Sequence, residues 1–227
     1  MCGRFVTYIP LEDIIKDFDI DITLIEDYTP SYNITPSNKV ISIYETDKKT
    51  ILNEFRWGLI PFWAKDPSIG YKMINARAET LEQKKSYKPL LKNRRCGIIS
   101  NGFYEWKREG NQKTPYYIKL KNDQPFSFAG LYDIWKDEED NQIFSCTIIT
   151  TQPNEKVSQI HDRMPVILDK NQTKKWINFE NDFEYVKNLL TSRKSEEIEL
   201  YQVSKMVNSP KNDSKQNLIP EKENKIF

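Results

Sequence analysis

Pairs of short runs rich in β-branched and aromatic residues, each pair split by a polar turn, constrain this chain more than any other feature. Residues 39–45 and 50–57 flank Thr46-Asp47-Lys48-Lys49, residues 116–120 and 125–129 flank Lys121-Asn122-Asp123-Gln124, and residues 131–135 and 143–150 flank an acidic stretch at 136–142. Runs of this length and composition around turn-forming residues predict three β-hairpins. Helical periodicity is scarcer. Residues 11–18 place Leu11, Ile14, Ile15 and Phe18 on one face, and residues 155–160 and 183–190 read as two more short helices. The expected fold class is therefore α+β, a single domain on a strongly curved, barrel-like and mainly antiparallel sheet with a few short helices. No internal repeat and no Pro/Gly/Ser-rich linker divides the chain, and the polar, Lys- and Asn-rich stretch 209–227 is expected to be loosely held.

At 227 residues the chain can bury a sizeable core without covalent staples. Its three cysteines, Cys2, Cys96 and Cys146, are odd in number and widely spaced, which argues against a disulfide framework and against a zinc site. A reducing cytoplasm fits that usage. The N-terminus carries Arg4, Glu12 and Asp13 rather than an apolar signal core, and no apolar run approaches the roughly 20 residues needed to span a bilayer, so no membrane partner is expected. A net charge of +1 gives no global field for a polyanion, and nucleic-acid binding would need a local basic patch. Lysine dominates the basic residues, yet Arg4, Arg77, Arg94, Arg95 and Arg163 fall in the densest segments, where a guanidinium fork can grip phosphate.

Cys2 directly follows the initiator in Met1-Cys2-Gly3-Arg4-Phe5. Methionine aminopeptidases remove the initiator when the next residue is small, which would leave a cysteine with a free α-amine. Such an amine, with a pKa near 8, is partly unprotonated at neutral pH, unlike a lysine near 10.4. It can form a Schiff base with an aldehyde, and the neighbouring thiol can add to the same carbon to close a thiazolidine ring. The plainer alternative is a small, buried residue that merely permits Met1 removal.

Three further places carry chemistry. The lone histidine, His161, lies in Ile160-His161-Asp162-Arg163-Met164-Pro165 at the end of an expected helix, either as a proton-transfer group or as a structural or surface residue. Glu105 lies in Gly102-Phe103-Tyr104-Glu105-Trp106, where strand alternation sends Phe103 and Glu105 to one face and Tyr104 and Trp106 to the other. Glu105 is thus a desolvated acid/base or an edge glutamate facing water. In Asn75-Ala76-Arg77-Ala78-Glu79-Thr80 the polar residues share one side of an extended segment, where Arg77 can take a phosphate and Asn75 can orient a nucleophile, or all three simply face solvent. In Trp57-Gly58-Leu59-Ile60-Pro61-Phe62-Trp63, Trp57 is expected in the core and Trp63 exposed, where a ring can stack on a base.

These segments in this order, with Tyr32-Asn33-Ile34-Thr35-Pro36, Arg94-Arg95-Cys96 and Val207-Asn208-Ser209-Pro210-Lys211-Asn212-Asp213, resemble the SOS-response-associated peptidase family. The resemblance implies a domain over residues 1–213 followed by a polar tail at 214–227. It implies an abasic-site processing protein that shields damaged single-stranded DNA by covalent capture of the ring-opened sugar, working in the bacterial cytoplasm as a monomer. It assigns the thiazolidine link to Cys2, positioning to Asn75, proton shuttling to Glu105 and acid/base work, including β-elimination or reversal, to His161. Arg4, Arg77 and Arg163 would bind phosphates, and Asn33, Pro36 and Trp63 would line the DNA path. Two departures stand out: residues 96–102 lack the family's proline before Gly102, and Phe62-Trp63-Ala64 differs from aromatic pairs in some relatives. Neither replaces a chemical group. No metal or organic cofactor is required. The competing readings are a thiol peptidase acting through Cys2, His161 and Asn75, or a non-catalytic single-strand binding module.

Overall fold

Alternation along the long strands decides the architecture of the computed structural model, which describes residues 2–221. In chain order the first strands are β1 (Phe5–Thr7), β2 (Ile22–Thr23), β3 (Ser31–Ile34), β4 (Lys39–Thr46), β5 (Lys49–Trp57), β6 (Asn75–Arg77) and β7 (Arg95–Ser100). There follow β8 (Gly102–Glu109), β9 (Gln112–Leu120), β10 (Phe126–Lys136), β11 (Gln142–Thr151), β12 (Met164–Pro165), β13 (Ile167–Leu168) and β14 (Ile198–Gln202). The α-helices are α1 (Leu11–Asp17), α2 (Glu155–Ser158), α3 (Lys170–Ile177) and α4 (Phe183–Val186).

Five strands in the order β11-β10-β7-β4-β5 form a barrel, closed by parallel pairing of β11 with β5 at Ser145↔Arg56 and Cys146↔Trp57. Closure removes the free edges that long apolar strands would otherwise expose. Period-two alternation then splits each strand between two cores. Tyr44, Cys96, Ile98, Phe128, Tyr132, Cys146 and Ile148 fall in one buried cluster, while Ile43, Ile99, Ala129, Leu131 and Ile149 fall in another. The first is the barrel interior, since the rings of Phe55 and Tyr132, on strands that do not pair, lie 5.1 Å apart. The second is covered by Ile14 of α1 and Trp176 of α3.

A five-stranded sheet, β14-β9-β8-β1-β3, contributes Phe5, Phe103, Ile118 and Ile198 to the interior cluster. Its other face packs Val6, Tyr104 and Tyr117 against Val203 and Val207.

The first and third expected hairpins form, β4–β5 and β10–β11, and at the first the turn residues Asp47 and Lys48 adopt φ of 50° and 61°, the left-handed pair of a type I′ turn. The second does not. Strands β9 and β10 lie in different sheets, so residues 121–125 are a crossover. Strand β9 instead pairs with β8 around Gly110, at φ 57°, which sets Tyr117 opposite Tyr104 with their rings 5.3 Å apart and tilted, while β10 carries Phe126 and Phe128 into the barrel. Helix α3 was not expected, although Asp169 and Gln172 form a capping box at its start.

The stretch from residue 209 is also better held than its composition suggests. Asn217 is fully buried and donates to Asn212 O at 2.5 Å, Tyr201 Oη donates to Leu218 O at 3.0 Å, and Val203 bridges to Pro220. Buried amide contacts there add to the packing of Leu218 against the cluster of Val203 and Val207. Residues 222–227 of the expected tail lie outside the described residues.

Candidate functional site

Register brings the start of the chain to Glu105. Strand β1 is antiparallel to β8 with Phe5 opposite Phe103, and Tyr104 N donates to Arg4 O at 2.9 Å, so residues 2–4 run alongside 104–106. Cys2 is fully buried at this junction, in the interior cluster. Strand β6 lies parallel to β11, with Asn75 opposite Ile148, and from there Asn75 Nδ2 donates to Cys2 O at 2.7 Å. Asn75 thus fixes the backbone of Cys2 rather than its thiol.

His161 follows α2, whose Asn154 caps it by accepting from Val157 N at 2.9 Å. The ring Nδ1 accepts from Arg163 N at 3.1 Å and lies 2.9 Å from Asp162 Oδ1. Glu105 and His161 line one open cavity of about 420 Å³, together with Trp106, Arg108, Lys113 and Asn208.

Electrostatics acts on the Cys2 thiol and the Glu105 carboxyl together. Burial, and secondarily the Glu105 carboxylate, pushes the thiol far above its ordinary range, so it stays protonated at neutral pH. Burial likewise raises the carboxyl of Glu105, against the opposing field of His161. Glu105 therefore keeps its proton to a higher pH than an exposed glutamate does.

The arginines divide. Arg77 is exposed at the end of β6, two residues beyond Asn75. Arg4 is turned into the protein, donating to Asn33 Oδ1 at 2.6 Å and Val207 O at 2.7 Å, with its guanidinium 5.8 Å over Trp106. Arg163 is buried, bonded through both terminal nitrogens to Glu79 at 2.8 and 2.9 Å and to Thr150 O at 2.7 Å. Its side chain braces the His161 loop. Asn33 is also buried and its Nδ2 donates to the carbonyls of Val207, Ser209 and Asn212 at 3.3, 3.0 and 2.6 Å, clamping the C-terminal segment.

Pro36 is half-buried in the turn after β3. Trp57 is fully buried, whereas Phe62 and Trp63 are 66% and 51% exposed, enough to offer ring faces. Their loop is anchored at two points: Phe62 N donates to Asp133 Oδ2 at 2.8 Å and Trp135 Nε1 to Ala64 O at 2.7 Å. Gly58, at φ 124°, opens it where any Cβ would stand 2.6 Å from Gly70 O.

Sequence reasoning thus named Cys2, Asn75, Glu105 and His161, which the fold assembles, and missed Arg108, Lys113 and Asn208. The signal for the first two was a basic pair flanking Gly110, which reads equally well as a solvated hairpin tip. Among the described residues no cluster of His, Cys, Asp or Glu is arranged to hold a metal, and no helix is long and apolar enough to cross a membrane.

A barrel that sets Cys2 beside an amide, a carboxylate and an imidazole defines a class of protein whose site gathers a thiol with acid/base groups. The chain belongs to the SOS response associated peptidase (SRAP) family, whose model matches residues 1–210. It is 51% identical over 217 residues to the abasic site processing protein YoqW of Bacillus subtilis (strain 168), spanning 94% of this chain and 97% of that one. The abasic site processing protein HMCES of Gallus gallus is 34% identical over 225 residues, covering 85% of this chain and 67% of its own. A solved protein from Bacteroides thetaiotaomicron superposes with a TM-score of 0.76 at 31% identity, covering 84% of this chain and 85% of that chain. One from Bordetella bronchiseptica, at 19% identity and TM-score 0.76 over 89% of this chain and all of that one, shares the fold.

Proposed function

We propose that this protein captures abasic sites in single-stranded DNA by forming a covalent link through Cys2, shielding the lesion during the response to DNA damage. The observation that carries the reading is the Asn75 bond to Cys2 O, which holds the cysteine backbone beside the raised carboxyl of Glu105. Once Met1 is removed, the α-amine adds to the C1′ aldehyde of the ring-opened sugar to give a carbinolamine. Glu105 supplies the proton with which the hydroxyl departs as water, leaving an imine. The Cys2 thiol then adds to the imine carbon, its proton passes to the nitrogen, and a thiazolidine closes.

The raised thiol suits this order, amine first and sulfur second. It disfavours the peptidase reading, because a cysteine nucleophile in a peptidase is activated by a depressed pKa. His161, facing the same cavity, serves as the acid/base for β-elimination from the imine or for reversal of the link. Arg77 and the exposed Phe62 and Trp63 provide phosphate and base contacts for a single strand, and the protein acts as a monomer in a reducing cytoplasm.

The test is a denaturing gel of mature protein with a single-stranded oligonucleotide bearing one abasic site, beside an intact-base control and Cys2→Ala. A shifted band that needs both the lesion and Cys2 is expected. Its absence from protein shown by mass spectrometry to begin at Cys2 would falsify the reading.

A further inference from the structure

The cavity holding Glu105 and His161 has a second wall, built by the β8–β9 hairpin and by Asn208. Register sets Arg108 directly opposite Lys113 across the antiparallel ladder. Two like charges so placed destabilise a sheet unless something neutralises them. Neighbouring Lys107 is neutralised by Glu109 at 2.7 Å, but among the described residues no carboxylate forms an ion pair with Arg108 or Lys113. Asn208 joins them with a fixed amide: its Oδ1 accepts from Trp106 Nε1 at 2.8 Å, which leaves the two N–H donors of its Nδ2. Arg108, Lys113 and that amide nitrogen are donors without a competing acceptor. Such a set suits a phosphate, gripped by a planar fork and a point charge together.

We infer that this wall is a phosphodiester subsite, which holds the backbone phosphate adjoining the lesion while the sugar faces Glu105 and His161. The inference rests on the abasic-site reading for the identity of the strand. The cavity, about 420 Å³, is of the size that takes small ligands whole, and so has room for more than the sugar alone. Binding there would place the lesion by its backbone rather than by a neighbouring base, so capture would depend little on flanking sequence.

The experiment uses the doubly substituted Arg108→Gln, Lys113→Gln protein, both positions being exposed, so that folding is not at stake. Non-covalent binding is measured with a single-stranded oligonucleotide carrying an unreactive tetrahydrofuran abasic analogue, over a salt series. Loss of one phosphate contact should weaken binding about tenfold and reduce the logarithmic salt slope by about 0.7. Replacing single phosphates on either side of the lesion by neutral methylphosphonate should reveal one position that costs the parent about the same factor and costs the double variant nothing further. Unchanged affinity and slope, or a variant equally sensitive at every methylphosphonate position, overturns the subsite. Covalent capture by the parent protein is followed in parallel. Capture with an unaltered double-variant binding profile removes only the subsite; no capture by the parent removes the functional reading, and the salt series still reports whether this wall holds phosphate.

Discussion

Glu105 pays a stability penalty for its position. Burial raises its carboxyl above the ordinary glutamate value of about 4.3. The folded protein therefore retains this proton where the unfolded chain has lost it, so the group's contribution to stability falls as pH rises from the unfolded value through the higher folded one. Glu105→Gln should consequently unfold at a higher urea concentration than the parent at pH 8, with the gap shrinking toward pH 4. Equal midpoints at pH 8 would show that the carboxylate is not penalised. The same substitution should slow single-turnover capture about a hundredfold, the usual scale of a lost general acid/base. Residue chemistry left Cys2, Glu105 and His161 each with a plainer alternative, and the order of the motifs, through the family resemblance, is what singled them out in the sequence. The setting of Arg163 was not legible, since its partner Glu79 lies 84 positions away and only the fold shows that its guanidinium is buried.

At the scale of elements, hairpins were readable where turn and strand agree and unreadable where a short loop changes sheets. Nothing in Lys121-Asn122-Asp123-Gln124 states whether β9 returns on β10; the choice is made by Tyr104 on one side and the barrel interior on the other. The C-terminal strap was hidden for a related reason, because it is held by amides rather than by an apolar pattern. Asn33 alone shares its two amide N–H groups among three of its carbonyls and accepts from Arg4. With each bond worth about 1 kcal/mol net, Asn33→Ala should raise the rate of proteolytic nicking after residue 207 on the order of a hundredfold. Limited proteolysis followed by mass spectrometry measures this, and a variant as resistant as the parent would show the strap is held elsewhere.

For the molecule as a whole, the barrel seam and the site are one structure. Trp57 sits at the β5–β11 seam, fully buried, and its Nε1 donates to Ile74 O at 2.9 Å, one residue before Asn75. Trp57→Phe keeps most of the apolar volume and removes this bond, while Ile74 O still accepts from Ile148 N at 3.0 Å, so the loss is about 0.5–1.5 kcal/mol. In a chain of this size that corresponds to a Tm roughly 1–6 °C lower. Capture should slow as well, because the strand bearing Asn75 loses one of the bonds that hold its start; calorimetry alongside gel kinetics distinguishes the two effects. An unchanged capture rate in a destabilised variant would show that Asn75 is held independently of the seam.

The strap also orders events during folding. Arg4, two residues after Cys2, is held by Val207 O, 203 positions later, and Asn208 completes one wall of the cavity. The surroundings of Cys2 are therefore finished only when the segment from residue 207 docks, and a chain interrupted before it would carry Cys2 and Glu105 with that wall missing.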